Sequence, residues 1–178
     1  MKKLILFISA FVPMYILFLI NLLVELINHN LTFNILNTCV LITLIILILI
    51  GWCGLLLIIK NQKGKSKKCT IVSKKNLTDQ HFLNYFSLFV LLALAFDLSK
   101  FCFVCVFVVL HIFIGVVYIK NNIFYVNPLL NILGYSFYDI TIKNGEKTCE
   151  LRIFFKGEIE VDKNYSLYII DRNLNFLQ

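Results

Sequence analysis

At 178 residues, with 60% hydrophobic side chains, 15% charged ones and a mean hydropathy of +0.84, the chain is too apolar for an ordinary soluble domain. Its net charge of +7 is unevenly placed: residues 1–119 carry ten basic and three acidic side chains, whereas 120–178 carry seven of each. The excess therefore belongs to the apolar half and is not the basic face of a soluble nucleic-acid-binding domain, so no direct nucleic-acid binding is expected.

The first uncharged run, residues 4–24, follows Lys2 and Lys3 and ends at Glu25. A helix rises ~1.5 Å per residue and a hydrocarbon core of ~30 Å takes about 20 residues, so this run is long enough to span. It is longer than the apolar part of a secretory signal and has no small-x-small site before Glu25, which favours a span over a cleaved leader. Pro13 is its obvious helix break. The loop 28–34 has no Lys or Arg, and residues 30–59 are free of charge, with 35–59 as the apolar core of the clearest span. Inside it Gly51 and Gly54 place two small residues three apart, enough for close packing against another span.

Seven of the seventeen basic residues fall in the connection 60–80: Lys60, Lys63, Lys65, Lys67, Lys68, Lys74 and Lys75. Short Lys-rich loops stay on the cytoplasmic side, which orients the whole molecule. These lysines either only set topology or also contact anionic headgroups or a partner, at about 1 kcal/mol per Lys near a membrane surface. Residues 82–119 would form a helix ~57 Å long, almost twice the bilayer core. Asp97-Leu98-Ser99-Lys100 is the charged interruption, and it divides the stretch into 82–96 and 101–119, a helical hairpin. The first arm is short, which leaves a re-entrant or interfacial placement as the alternative. Four spans put both termini in the cytoplasm; three would send the C-terminal region across.

After Lys120 the pattern changes. Asn127-Pro128 reads as a helix start, with Asn as N-cap and Pro at the first helical position, and Gly134 closes the short helix in a left-handed conformation. Its apolar residues, with Phe124 and Tyr125 before them, suit a segment lying against the membrane surface or the ends of the spans. Asn127, Pro128, Leu129, Leu130, Leu133 and Tyr135 are the candidate partner or subunit interface. Residues 135–142 and 148–155 read as strands joined through Lys143-Asn144-Gly145-Glu146, where Asn-Gly suits a two-residue hairpin. Residues 158–161 and 165–171 read as two more strands. So small a sheet buries little apolar area, and edges without a covering helix would be open to a partner.

The expected fold is thus an α-helical polytopic membrane protein with four transmembrane helices in 1–119, followed in 120–178 by an interfacial helix and a small cytoplasmic antiparallel β domain. The six cysteines form no disulfide framework on the reducing side of the membrane. Cys102 and Cys105 make a C-x-x-C without a second pair or a flanking His, so packing explains them better than a metal. His29, His81 and His111 lie at different depths, and no metal or other cofactor is expected. His111, near mid-membrane, is either a proton-relay or pore-lining group or one end of an interhelical hydrogen bond. Glu25 and His29 share a helix face at the outer end of the first span. No phosphate loop, nucleophile elbow or H-E-x-x-H is present, which argues against an enzyme.

The junction Tyr125-Val126-Asn127-Pro128-Leu129-Leu130-Asn131-Ile132-Leu133-Gly134-Tyr135 carries an N-P-L-L-N-x-L-G-Y element after four short spans and before a compact β tail. In this it resembles the membrane subunit, KwaA, of Kiwa anti-phage defence systems. The resemblance covers most of the chain in layout and about a dozen residues in motif. It implies a homo-oligomeric component of the bacterial inner membrane that responds to phage attack and works with a cytoplasmic DNA-binding effector. The reading from the residues is a sensor or scaffold that recruits a soluble effector; its rivals are a small oligomeric channel or passive transporter, and a simple anchor.

Overall fold

The structure, a computed structural model, describes residues 2–28, 34–60, 66–121, 123, 127–144, 147–161, 163–171 and 174–177. His29, Lys63, Lys65, Phe124, Tyr125, Gly145 and Asp162 lie outside the described residues, as does most of the loop 28–34.

The first apolar run forms two helices, α1 (Lys2–Ala10) and α2 (Val12–Ile27), bent by 48° about Phe11. Pro13 explains the break: it cannot donate to the preceding turn, so it sits in the first turn of a new helix, where no donor is needed. Regular bonding resumes with Tyr15 N–H to the Phe11 carbonyl at 3.0 Å. α3 (Ile35–Lys60) follows, then a strand, β1 (Ser66–Asn76), then α4 (Thr78–Ala95) and α5 (Phe101–Lys120). The α4–α5 break falls at the charged tetrapeptide, as the sequence implies. Across it Phe96 meets Phe103 and Phe107 with ring centroids 6.1 and 6.2 Å apart. Among the described residues, α3 and α5 are each long and apolar enough to cross a membrane, and the bent pair α1–α2 makes a third candidate if taken as one span.

The bent helix is the centre of the bundle. Leu6, Phe7, Phe11, Met14, Tyr15 and Phe18 are all buried, whereas α3 and α5 turn Ile46, Leu49, Val109 and Phe113 outward. That inversion is normal where lipid replaces water as the surrounding medium. α3 packs on α1 through its glycines. A Cβ on Gly51 would stand 2.5 Å from Val12 Cγ2 and 3.2 Å from Ser9 Cα, and one on Gly54 would stand 2.5 Å from Ile5 Cγ2.

The rest of the chain is α6 (Pro128–Ile132), β2 (Tyr135–Asn144), β3 (Lys147–Lys156), β4 (Asn164–Asp171) and β5 (Leu174–Leu177). With β1 they close a barrel of order β1-β2-β3-β5-β4, in which β3 and β5 run parallel and every other pair antiparallel. This is the connectivity of the five-stranded Greek-key barrel called the OB-fold. Here the α4–α5 hairpin and α6 are inserted between the first two strands. Ile71, Ile140, Ile153, Ile159 and Leu167 fill the interior.

Three expectations are corrected. The Lys-rich connection is not a loop throughout, because residues 66–76 supply β1, and the sheet is therefore not confined to the C-terminal tail. Nor does the barrel have the open edges expected of a small sheet, since β1 hydrogen-bonds to both β2 and β4. Residues 158–161 are not a strand: Ile159, fully buried, turns into the end of the barrel as a plug. The plug is tied by the Tyr138 hydroxyl to the Gly157 carbonyl, by the Lys74 ammonium to the Ile159 carbonyl, and by the Glu160 N–H to the Tyr165 hydroxyl. The expected β2–β3 hairpin forms, with β2 two residues longer and β3 one residue longer at the turn, so that Asn144 pairs with Lys147.

Candidate functional site

The two halves of the molecule meet at α6. Asn127 precedes it in extended conformation, and its Oδ1 accepts from Leu129 N–H at 3.0 Å and Leu130 N–H at 3.3 Å, an N-cap over a helix with Pro128 in its first turn. The other end of the same amide reaches α1. Its Nδ2 donates to Ser9 Oγ at 2.7 Å and to the Leu6 carbonyl at 3.4 Å, while the Ser9 hydroxyl also donates to the Leu6 carbonyl at 2.9 Å. Asn127 and Ser9 are buried, so this small polar network has no water to fall back on and its bonds are costly to break. Gly134, at φ +83°, then turns the chain into β2.

Hydrophobic contacts complete the joint. Leu129 and Leu130 are buried, and they share one cluster with Leu6, Phe7 and Ala10 of α1 and with Phe137 and Phe154 of the barrel. Phe137 and Phe154 are direct cross-strand partners with ring centroids 5.1 Å apart. The Leu77 N–H, between β1 and α4, bonds to the Phe137 carbonyl at 3.0 Å. Of the residues expected at a partner interface, Asn127, Pro128, Leu129 and Leu130 are thus internal to one chain, and Leu133 and Tyr135 are half-buried beside them. Burial raises the pKa of the Tyr135 phenol.

On the other side of the bend, His111 of α5 is hydrogen-bonded through Nε2 to the Tyr15 hydroxyl at 2.7 Å. Phe7, Phe11 and Phe107 surround its ring at centroid distances of 4.9, 5.0 and 5.5 Å. Of the two roles open to His111, this geometry supplies the partner that the interhelical hydrogen bond requires. Gly115, one turn on, admits Phe7: a Cβ there would lie 3.1 Å from the phenyl ring. The bend between α1 and α2 is therefore held from both sides, by the N-cap of α6 at Ser9 and by α5 at Tyr15.

The lysines are spread over several environments. Lys60 ends α3. Lys67 and Lys68 lie on β1, where their backbones pair with Leu167 and Ser166 of β4. Lys74 secures the barrel plug, and Lys75 stands opposite Asp139, which itself stands opposite Arg152. The sheet face formed by β1, β2 and β3 thus alternates in sign rather than presenting a basic stripe. β1 also carries a bulge at Val72, which has no partner between the Ile71–Ile142 and Ser73–Thr141 pairs.

At the far end of the α4–α5 hairpin, Asp97 accepts from the Ser99 hydroxyl and from Ser99 N–H, and pairs with Lys100 at 3.0 Å. The Ser99 hydroxyl, with smaller help from Lys100, holds the Asp97 carboxyl below its ordinary pKa against the opposing effect of burial. Cys69 is buried in the barrel wall, which pushes its thiol pKa up, whereas Cys149 is exposed. Among the described residues no three His, Cys, Asp or Glu side chains converge on one point.

Reading the sequence alone missed Ser9, Tyr15 and Ile159. Ser9 and Tyr15 had a visible mark, the two hydroxyls of the first apolar run on either side of Pro13; Ile159 had none.

No curated protein and no solved structure matches the chain. The family model for the anti-phage protein KwaA matches residues 2–176, nearly the whole length, and the network at Asn127 falls within that match. The chain belongs to the KwaA anti-phage protein family.

Proposed function

We propose that the protein is a membrane-embedded sensor and scaffold of a Kiwa anti-phage system, recruiting a cytoplasmic DNA-binding effector to the bacterial inner membrane. The observation that carries this reading is the Asn127 junction. One buried amide joins the entry helix of the barrel to the bent first span, so a change in the tilt of α1 carries the barrel with it. A discrete element touching lipid at one end and a folded domain at the other is the connection such a sensor requires. The effector docks on the exposed barrel face around Lys75, Asp139 and Arg152, whose alternating charge suits a protein surface better than a phosphate backbone. The working form is a homo-oligomer.

The same barrel supports four spans with both termini inside. β1 and β2 are hydrogen-bonded partners, so residues 77–134 between them start and finish on the same side of the membrane. If α5 crosses, α4 crosses as well. A three-span arrangement would separate β1 from the other four strands, and the lysines of β1 favour the cytoplasm for all of them.

Affinity purification of the full chain in mild detergent tests the reading. Wild-type protein is expected to bring down a soluble effector, and the Lys75→Glu/Arg152→Glu variant to lose it along with phage protection while still inserting in the membrane. If the doubly reversed variant keeps both, the barrel face is not the docking element. Truncation after residue 122 is a poorer test, because it strands β1 with Ile71 uncovered.

A further inference from the structure

Between α3 and α5 runs a crevice of about 320 Å³, open along its length. Val40 and Leu47 of α3 face Val104 and Val108 of α5, with Leu98 near one end and His111 near the other. Both walls are helices long and apolar enough to cross a membrane, so the crevice opens into hydrocarbon. On α3 it extends from Leu36 to Leu47, ~16 Å at the helical rise, and half of a ~30 Å bilayer core is about the same. It therefore runs from one interface to the midplane, the depth of one leaflet.

We propose that this crevice is a binding site for a phospholipid acyl chain, entering from the leaflet at the 97–100 turn. Spreading 320 Å³ over that length leaves a cross-section of about 20 Å², the width of one hydrocarbon chain. The polar groups on its walls are already engaged: His111 with Tyr15, and the Thr43 hydroxyl with the Cys39 carbonyl at 2.7 Å. The rest of the lining is almost entirely apolar, and an apolar cavity of this kind takes an apolar guest. The headgroup would lie near Lys100, two residues beyond Leu98 and 67% exposed but already paired with Asp97 at 3.0 Å, so the recognition lies in the apolar lining. The bound chain supplies a neighbour for α5 on the side where α3 stands off from it.

The test places p-benzoylphenylalanine in the full chain at Val108, which lines the crevice, or at Val109, which does not; the two are 48% and 52% exposed, so a difference in yield reports the crevice and not general access. Each protein is taken from vesicles of phosphatidylethanolamine and phosphatidylglycerol, washed free of bulk lipid in detergent and irradiated. A mass gain of one phospholipid is expected at Val108, in several-fold higher yield than at Val109. Equal yields, or no adduct at Val108, overturn the proposal; a cross-linked pair of chains at Val108 also overturns it and assigns the crevice to a second copy. As an independent arm, Val104→Phe narrows the site and is expected to lower the phospholipid retained per chain. Unchanged retention by a Val104→Phe protein that unfolds like wild type overturns it too.

Discussion

Gly51→Ala adds a single methyl group where the first and second apolar runs come closest. The new Cβ would lie 2.5 Å from Val12 Cγ2, and behind it are backbone atoms, Ser9 Cα at 3.2 Å and the Ile8 carbonyl at 3.3 Å. Val12 is β-branched and fully buried, so it has little freedom to turn aside, and α1 and α3 must move apart. Overpacking of this kind costs about 1–3 kcal/mol, while replacing a helical glycine by alanine returns about 1 kcal/mol. The net expectation is destabilisation by roughly 0–2 kcal/mol, toward the upper end because backbone atoms stand behind the contact. Gly54→Ala meets Ile5 Cγ2, also on a β-branched residue, but Ile5 is only half-buried and no backbone atom stands behind it, so the substitution should cost less. Trp52, the single tryptophan, sits between the two positions and reports thermal unfolding directly. Combining Gly51→Ala with Val12→Ala should make the glycine substitution cheaper than it is alone, a coupling that a double-mutant cycle measures. The reasoning is refuted if Gly51→Ala melts at or above the wild-type temperature, or if Gly54→Ala is the more damaging of the two.

Other perturbations separate the remaining contacts. Asn127→Ala removes a cap and a donor together and should cost about 1–3 kcal/mol in thermal unfolding. Asn127→Asp, which keeps the cap acceptor and loses the donor to Ser9, should remain clearly destabilised; wild-type stability would mean the link to α1 is dispensable. Tyr15→Phe should cost only about 0.6 kcal/mol, as for most hydrogen bonds between membrane helices, and a conductance that appears or vanishes with it in reconstituted bilayers would favour the channel rival. At Asp97 the folded-state pKa lies below the unfolded one. Its contribution is therefore complete above about pH 4 and fades as the pH falls through the folded value, so the Ser99 amide resonance should shift only in acid and not at all in Asp97→Asn. A membrane-impermeant thiol reagent added to intact cells should leave Cys149 unlabelled and label it after permeabilisation, and external labelling would refute the four-span arrangement. Cys69 is no reporter of sidedness, since its burial protects it on either side.

The local features of this fold were legible because their causes are local. A proline in an apolar run bends it, a charged tetrapeptide in a run too long for one span marks a turn, and Asn-Pro followed six residues later by Gly brackets a short helix. The two glycines of α3 announced close packing, though not its partner. β1 was hidden by its own composition: paired lysines at 67–68 and 74–75 surround only Cys69-Thr70-Ile71-Val72, too short a stretch to outweigh the topogenic reading of the charge. Its partners lie far away in sequence, with Thr70 matched to Lys143 on one side and Asn164 on the other, and no periodicity encodes such pairing. That omission led to a second, because a tail lacking β1 looks like a sheet with free edges. Apolar residues beside a turn mark a surface that must be covered, but not by what, and in residues 127–130 the cover comes from elements of the same chain.

Interrupting the barrel after its first strand gives its assembly a fixed timetable. β1 is complete at Asn76 and β2 does not begin until Tyr135, so at ~5–20 residues per second the ribosome leaves β1 without a partner for about 3–12 s. During that interval the strand has two unpaired edges beside nascent α4 and α5, and it can be covered only by a chaperone, by lipid, or by a wrong strand. Closure must wait for α4 and α5 to be made and for the chain to return. Products that stop short of β4 and β5 cannot close the barrel at all. To isolate the barrel, residues 66–76 would have to be spliced to the C-terminal strands across the missing hairpin, and such a spliced barrel would never have had to wait.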